Sequence, residues 1–401
     1  MAKVKITGHA SGTGVLTVTA PNTSSDRTIT LPDATGTLLN SDGDGSSLTG
    51  VGVGKNIAIN GAMLVAQRGT STTDELYGTV DRFNKQTGGT DEAVTQSQAD
   101  VASGTTPYSQ GFRKTFRLTN GNQTGGAGVT DYASIYYYLE GQDISRSGWD
   151  YTSASSYITL SYWVKASVAQ TYYARFRAYS SSQYEYSWSM VLSADTWTKI
   201  TVSIPGNSNL ANLVSTNAMG AFIQWVPFYG TDYTDSGHTL NSWAVKDNNS
   251  AFPDYTSTWW TTDDSTFEIT GVKLEVGSLA TDYEHKSYGE ELRDCQRYYE
   301  RHIATSAYGE FGNGYVETTS SAYINVRMDV EKRTTPTYTG SNIRVVNQGQ
   351  AMSVTGGGIN QASKRLIKLL LTGCVYLTVA RACQASGDNN ANAYMEFNAE
   401  L

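Results

Sequence analysis

Residues 157–165 read Tyr-Ile-Thr-Leu-Ser-Tyr-Trp-Val-Lys, and this alternation decides the predicted fold. A period of two is typical of a β-strand, whose successive side chains point to opposite faces of a sheet. The predicted core face of this strand carries Ile158, Leu160, Tyr162 and Val164. The opposite face carries Thr159, Ser161, Trp163 and Lys165. Residues 197–204 and 266–276 repeat the pattern, which predicts a β-sandwich in the centre of the chain.

The composition favours β structure throughout the chain. Its 401 residues include 39 Gly, 27 Tyr and 8 Trp, and only 16% of them are charged. Aromatic residues suit a pleated, half-buried surface, and glycine marks the turns between strands. At about 100–200 residues per domain, we expect two to four folded units in an all-β chain.

The charge balance argues against several classes of partner. The chain has 29 basic and 37 acidic residues, a formal net charge of -8. A nucleic-acid partner or an anionic membrane surface would need a clustered basic face, so we expect neither. Residues 1–5 are basic, but polar residues 7–13 follow, which is not the pattern of a signal peptide. No apolar run is long enough to span a bilayer, and we expect no membrane insertion.

Residues 1–55 form the first predicted zone. Residues 12–20 and 27–31 alternate as two short, threonine-rich strands with a turn-rich stretch between them. Two such strands cannot bury enough apolar surface to fold alone, so we expect partner chains to complete an intertwined oligomer. Residues 41–47, Ser-Asp-Gly-Asp-Gly-Ser-Ser, are predicted to form a flexible hinge.

Residues 56–286 form the central zone, predicted to be a jelly roll with long loops at 205–217 and 230–265. Residues 287–401 follow as a short connecting helix and a smaller β domain. The helix is predicted over 288–302, because Ser287 and Glu290 fit a capping box. The helical spacing behind it is carried by Leu292, Cys295, Tyr299 and His302. Further strands are predicted at 321–330, 364–371, 375–381 and 393–401.

The three cysteines are Cys295, Cys374 and Cys383. An odd number is a poor basis for a disulfide framework. We therefore expect three buried or partly buried thiols, with a reactive thiol as the less favoured interpretation because no setting that lowers a thiol pKa is visible around them.

Several segments resemble phage tail fibre proteins, in the order in which such proteins carry them. Residues 287–301, which include Cys-Gln-Arg-Tyr-Tyr at 295–299, are the most specific match. The other matches are residues 12–40 (a fibre repeat), 60–69, 81–83 and 269–284 (the opening and closing parts of a jelly-roll module found in fibres), and 327–337 and 397–401 (a fibre tip domain).

The resemblance implies an elongated homotrimer in the virion tail, assembled in the host cytoplasm. Its N-terminal segment would attach to a phage tail or baseplate protein, and the remainder would bind host cell-surface polysaccharide. The resemblance implies no catalytic residues and no cofactor. Two alternatives stay open: a tailspike-type polysaccharide depolymerase, and a purely structural collar or baseplate fibre.

Two aromatic segments are candidates for glycan contact, because a sugar ring stacks on an aromatic face while polar groups bind its hydroxyls. The first is 172–190, where Tyr172, Ala174, Phe176 and Ala178 are predicted to face the core. The candidates on the opposite face and in the next strand are Tyr173, Arg175, Arg177, Tyr179, Tyr184, Tyr186 and Trp188. The alternative is that these aromatic residues belong to the core.

The second candidate segment is the long loop at 228–260. Its candidate ligand-binding residues are Tyr229, Trp243, Trp259 and Trp260. So many aromatic residues in one loop predict either a binding surface or a satellite core beneath the loop, and the packed loop is slightly favoured.

Catalytic and metal sites are not predicted. A glycosidase needs two carboxylates that face each other across a cleft, whereas the adjacent pairs Glu290–Glu291 and Asp263–Asp264 do not suit that geometry. Asp42 begins a stretch that resembles a calcium loop, but no glutamate closes it. The four histidines have no zinc spacing, and we expect no metal.

Overall fold

The computed structural model describes residues 55–401. Residues 157–165 lie in Tyr157–Ala166, a strand at the centre of a β-sandwich. The four residues of its predicted core face are all fully buried, which confirms the alternation. The predicted strands and hinge of residues 1–54 lie outside the described residues.

Two antiparallel sheets of six strands each form the sandwich. The first sheet has the strand order β1 (Ser71–Thr72), β3 (Thr95–Asp100), β4 (Lys114–Thr119), β12 (Thr266–Val276), β6 (Tyr157–Ala166) and β9 (Thr198–Pro205). The second has the order β11 (Trp243–Val245), β8 (Gln183–Leu192), β7 (Gln170–Tyr179), β10 (Met219–Tyr229), β5 (Tyr132–Glu140) and β2 (Phe83–Gly88). The inner faces of both sheets pack into one hydrophobic core.

The predicted strand at 266–276 is present with those bounds and contains a β-bulge between Thr270 and Lys273. Gly271 occupies the bulge with φ of +64°. A Cβ there would lie 2.7 Å from the ring of Phe112, so this position needs glycine for both its backbone conformation and its close contact.

The connections between the strands of the sandwich contain short helices and turns. These are α1 (Thr106–Ser109), α2 (Gly141–Ser145), α3 (Thr258–Thr261) and two 3-10 turns, Ser208–Leu210 and Thr231–Tyr233. With 45% strand and 8% helix, the described part of the chain is all-β as predicted. No helix of the described residues is long and apolar enough to cross a membrane.

The connecting helix, α4 (Tyr288–Gln296), begins with the predicted capping box. The Ser287 side chain accepts a hydrogen bond from the Glu290 amide, and the Glu290 carboxylate accepts one from the Ser287 amide. The helix ends six residues earlier than predicted, so Tyr299 and His302 are strand residues. They pair with Asn398 and Met395, and this tertiary pairing outweighs the local helical spacing.

The remaining residues form two further antiparallel sheets. One has the order β13 (Tyr299–Ile303), β22 (Tyr394–Asn398) and β16 (Thr337–Ser341). The other has the order β18 (Gln350–Ser353), β17 (Ile343–Asn347), β21 (Ala382–Gly387), β14 (Glu310–Thr318), β15 (Ser321–Arg327), β20 (Leu366–Thr372) and β19 (Gly356–Ala362). Both contribute to a second hydrophobic core.

Three of the four strands predicted in this region are present, and the strand at 375–381 is wrong. Leu377 is buried in the second core, but Val375, Tyr376 and Val379 are exposed, so the alternation does not form a continuous core face. Tyr376 and Ala380 also have positive φ angles of 57° and 59°, which interrupt an extended backbone. The strand of this region begins afterwards, at Ala382.

All three cysteines are buried free thiols, as predicted. Burial raises the pKa of each of them, that of Cys383 to about 11. A thiol with a raised pKa is a poor nucleophile at neutral pH, which favours a packing role.

The sandwich and the C-terminal sheets are held together by buried ion pairs. Arg82 pairs with Glu400, and its guanidinium lies 3.5 Å from the ring centroid of Tyr298. Arg297 donates two hydrogen bonds, of 2.7 and 2.8 Å, to the carboxylate of Glu140. The described residues accordingly form one compact unit, and the domain boundary at 286 stays a prediction.

We expect Trp260→Ala to reduce the free energy of unfolding by about 3–5 kcal/mol, because it empties a large site in the sandwich core. Trp260 is fully buried and packs 5.1 Å from the ring of Phe228. Tyr376→Ala is the control, since Tyr376 is 85% exposed and its loss should cost less than about 0.5 kcal/mol. Urea denaturation measures both, and equal losses would contradict the core assignment.

Candidate functional site

The four candidates on β7 lie on the outer face of the second sheet, as the alternation predicted. Their neighbours Tyr172, Ala174, Phe176 and Ala178 face the core and are fully buried. The outer side chains of Tyr173, Arg175 and Arg177 are nevertheless buried as well, whereas Tyr179 is half-buried. The outer face of β7 is therefore partly covered.

A shared carboxylate holds the two arginines. Glu185 Oε2 lies 3.0 Å from Nη1 of Arg175 and 2.8 Å from Nη2 of Arg177. Arg175 Nε also donates to Gln224 Oε1 at 2.7 Å. Burial, and then the charge of Arg175, lower the pKa of Arg177, whereas the charge of Glu185 opposes this effect. These guanidinium groups are structural ties rather than free ligand-binding groups.

The loop that follows β10 covers one end of this face. Phe252 is fully buried, and its ring lies 6.0 Å from that of Tyr173 and 5.1 Å from the guanidinium of Arg175. His238 Nε2 lies 2.7 Å from Ser187 Oγ, which fastens the loop to β8. Tyr229 is buried in the same cluster. The structure therefore supports the packed-loop interpretation of 228–260.

Three further candidates are corrected by the strand register. Tyr184, Tyr186 and Trp188 pair with Ala178, Phe176 and Ala174, so they lie on the core side of β8. Trp188 and Tyr186 are buried there, and Trp188 Nε1 donates to Tyr162 OH at 2.9 Å. Tyr184 packs against the same core.

The loop tryptophans are corrected in the same way. Trp259 and Trp260 are fully buried on α3, where they close the end of the core. Trp243 packs against the core from β11, and its Nε1 donates to the Pro205 carbonyl at 2.7 Å. Trp259 and Trp260 offer no open ring face for a sugar, whereas Trp243 is half-buried.

The outer face keeps one group of partly exposed rings, which we call the tyrosine face: Tyr136, Tyr138 and Tyr179 around Phe222. The rings of Tyr136 and Tyr138 stack at 5.6 Å with an interplanar angle of 10°. Phe222 lies edge-on to both, at 5.2 and 5.9 Å, and 6.2 Å from Tyr179. The three tyrosines are half-buried, which leaves part of each ring accessible.

Polar groups border the tyrosine face. Gln86 Nε2 donates to Tyr138 OH at 2.8 Å, and Gln224 Nε2 donates to Tyr136 OH at 2.7 Å. Burial is the main reason that the pKa of Tyr138 is raised to about 12, so its phenol is neutral at pH 7. Rings flanked by neutral hydroxyls and amides are the groups that contact sugars in proteins.

Sequence reasoning missed Tyr136, Tyr138 and Phe222, although the signal was present. In β5, Ala133, Ile135, Tyr137 and Leu139 are buried core residues at period two. That alternation turns Tyr136 and Tyr138 outward, so the same test that was applied to β7 would have found them.

The cluster of Glu300, His302 and Asp329 is the one group of described residues whose ligand atoms lie close enough for a metal ion. The carboxylate of Glu300 already has a partner at each oxygen. Glu300 Oε1 lies 2.6 Å from His302 Nε2, and Glu300 Oε2 pairs with the buried ammonium of Lys332. The cluster is thus a compensated ion-pair group. The sequence did not predict it, because His302 was expected to lie on a helix.

Comparison with solved structures finds β-rich domains at low identity. The bacteriophage CBA120 tailspike protein 4 enzymatically active domain is 11% identical, with a TM-score of 0.30, over 55% of this chain and 21% of that one. The family 11 carbohydrate-binding module of the Clostridium thermocellum cellulase Lic26A-Cel5E is 13% identical, with a TM-score of 0.26, over 54% of this chain and 98% of that one. The N-terminal cellulose-binding domain of Cellulomonas fimi β-1,4-glucanase C is 13% identical, with a TM-score of 0.26, over 54% of this chain and 99% of that one.

These likenesses carry no argument about ligand or activity, because every TM-score is below 0.5. The chain also spans only about a fifth of the tailspike domain. No protein-family model and no curated protein matches the sequence.

We expect Glu185→Ala to reduce the free energy of unfolding by about 3–5 kcal/mol, because it leaves two buried guanidinium groups without their carboxylate. Glu317→Ala is the matched control, since Glu317 is exposed. Chemical denaturation of both variants measures the difference. A loss for Glu185→Ala no larger than that for Glu317→Ala would show that the arginines are solvated instead.

Proposed function

We propose that this chain is a non-catalytic tail-fibre subunit of a tailed bacteriophage, which binds host cell-surface glycan through the tyrosine face. The observation that carries the glycan-binding part is the stacked pair Tyr136 and Tyr138, half-buried beside Phe222 and bordered by hydrogen-bonding amides. The tail-fibre part is supported by the resemblance of segments along the chain, above all residues 287–301.

The arrangement of charges near this face supports a role without catalysis. Glu185 is the carboxylate beside the tyrosine face, and hydrogen bonds from Arg175 and Arg177 engage it. Glycoside hydrolysis needs one carboxyl group that can donate a proton and a second on the other side of the scissile bond. A carboxylate fixed by two guanidinium groups is poorly suited to either task.

The proposed assembly is a homotrimer attached to a tail or baseplate protein by residues 1–55. The alternating sequences at 12–20 and 27–31, which predict two short strands, support it, because separate chains would have to supply the apolar surface that such strands lack. Light scattering on the full chain should give about three times the mass of 43.4 kDa. A mass of one chain would overturn the trimer and leave the glycan proposal standing.

We expect Tyr138→Ala to weaken glycan binding about tenfold, because it removes one ring of the stacked pair. The full chain is applied to an array of bacterial surface polysaccharides, and the best ligand is then titrated by calorimetry. Tyr376→Ala, an exposed tyrosine away from the face, should bind normally. Equal affinities for the two variants would contradict the proposed site.

The same polysaccharide distinguishes binding from cleavage. Incubation with the full chain should release no reducing ends above the background of the buffer. Sustained release that follows enzyme concentration would overturn the non-catalytic role and favour a depolymerase.

A further inference from the structure

A second polar site lies away from the tyrosine face, where the sandwich meets the β13–β22–β16 sheet. This cavity of about 450 Å³, the junction cavity, is lined on the sandwich side by β1 and by Arg68 and Tyr77. Its other wall is formed by side chains of all three strands of the small sheet. A volume of this size is within the usual range for small-molecule sites.

The wall of the small sheet is polar because of strand alternation. In β22, Met395 and Phe397 are fully buried in the second core. The residues between and after them, Glu396 and Asn398, therefore face the opposite way and line the cavity. They pair with Thr339 and Thr337 of β16, whose hydroxyls extend the same polar surface.

The lining is unusual in its chemistry. It contains hydroxyl, carboxamide, carboxylate and guanidinium groups and two tyrosine rings, but no Leu, Ile, Val, Met or Phe. An apolar ligand would find no complementary surface there. Arg68, Asp74 and Glu396 bring both signs of charge, so the lining does not favour a simple anion either.

One buried polar atom at this cavity, Nη1 of Arg68, lacks a hydrogen-bond partner among the described residues. The Tyr299 hydroxyl lies beside the Glu396 carboxylate: burial, and then a hydrogen bond with Glu396, raise the pKa of Tyr299. Arg68 lies with its guanidinium 3.5 Å from the centroid of the Tyr299 ring. Its ion-pair contacts are long, 3.8 Å to Asp81 and 3.5 Å to Glu400. Buried polar atoms in native proteins are nearly always satisfied, so an unpaired donor in a cavity wall indicates a water or a ligand as its partner.

We propose that the junction cavity is a saccharide-binding site, separate from the tyrosine face. Sugar hydroxyls both donate and accept hydrogen bonds, and this matches a wall in which donors and acceptors alternate. The Tyr77 ring, which is half-buried, supplies a flat surface for the C–H side of a sugar. This site does not depend on the proposed host-glycan contact, which uses a different face of the molecule.

The test blocks the cavity. Saturation-transfer NMR on the full chain uses the methyl glycosides of glucose, galactose, rhamnose and N-acetylglucosamine as probes. Thr339→Trp fills the cavity from an exposed edge-strand position and should abolish the signal of at least one glycoside. Thr201→Trp is the matched control, an exposed threonine on the edge strand β9, and should keep that signal.

The outcomes separate the two sites. Tyr138→Ala should keep the signal that Thr339→Trp removes. If the wild type shows no glycoside signal, or if no signal depends on Thr339→Trp, the junction cavity holds water only and the inference is overturned. The proposed host-glycan contact is judged independently, by the polysaccharide affinity of Tyr138→Ala.

Discussion

Packing of the two inner sheet faces against each other is the constraint on which the rest of this structure depends. Tyr162 of β6 lies at its centre, 5.5 Å from the ring of Trp225 and within hydrogen-bonding distance of Trp188. Once these rings lie in the core, the period of two places the adjacent residues of each strand on its outer face. Arg175, Gln224 and Tyr136 must emerge on the outer face, and the tyrosine face follows from the same register.

The sequence predicts which residues alternate between the two faces of a strand. It does not predict which residues from elsewhere in the chain pack over each face. Tyr172 and Tyr173 are correctly assigned to opposite sides of β7, yet both are buried. The reason is Phe252, which lies far along the chain and packs over Tyr173 after the loop folds back. Local periodicity contains no information about such a contact. The same limit explains Trp259 and Trp260, whose burial depends on where α3 lies.

Where local chemistry alone decides, the sequence was a better guide. The capping box at Ser287 needs only residues three positions apart, and it is present. The end of the same helix depends on pairing between β13 and β22, about 95 residues apart, and was misplaced. The false strand at 375–381 is the converse case. Its apolar residues alternate, but Val375 and Val379 stay exposed while Leu377 packs into the second core. Residues 1–54 lie outside the described residues, so their strands and hinge stay predictions.

Several charged residues of this chain are buried and hold the structure together through ion pairs and hydrogen bonds. Three lysines, Lys85, Lys273 and Lys332, are almost fully buried. Lys85 Nζ shows the pattern, with the carbonyls of Thr73 and Val94 at 2.8 and 2.7 Å and Glu75 at 2.7 Å.

Lys273 and Lys332 likewise combine a backbone carbonyl with a carboxylate. An ammonium held in this way satisfies buried carbonyls that loops would otherwise expose to the core. The tyrosine face itself presents neutral hydroxyls, amides and aromatic rings. That surface chemistry suits uncharged, hydroxyl-rich ligands better than nucleic acid or an anionic membrane, whereas the junction cavity adds charged groups of both signs.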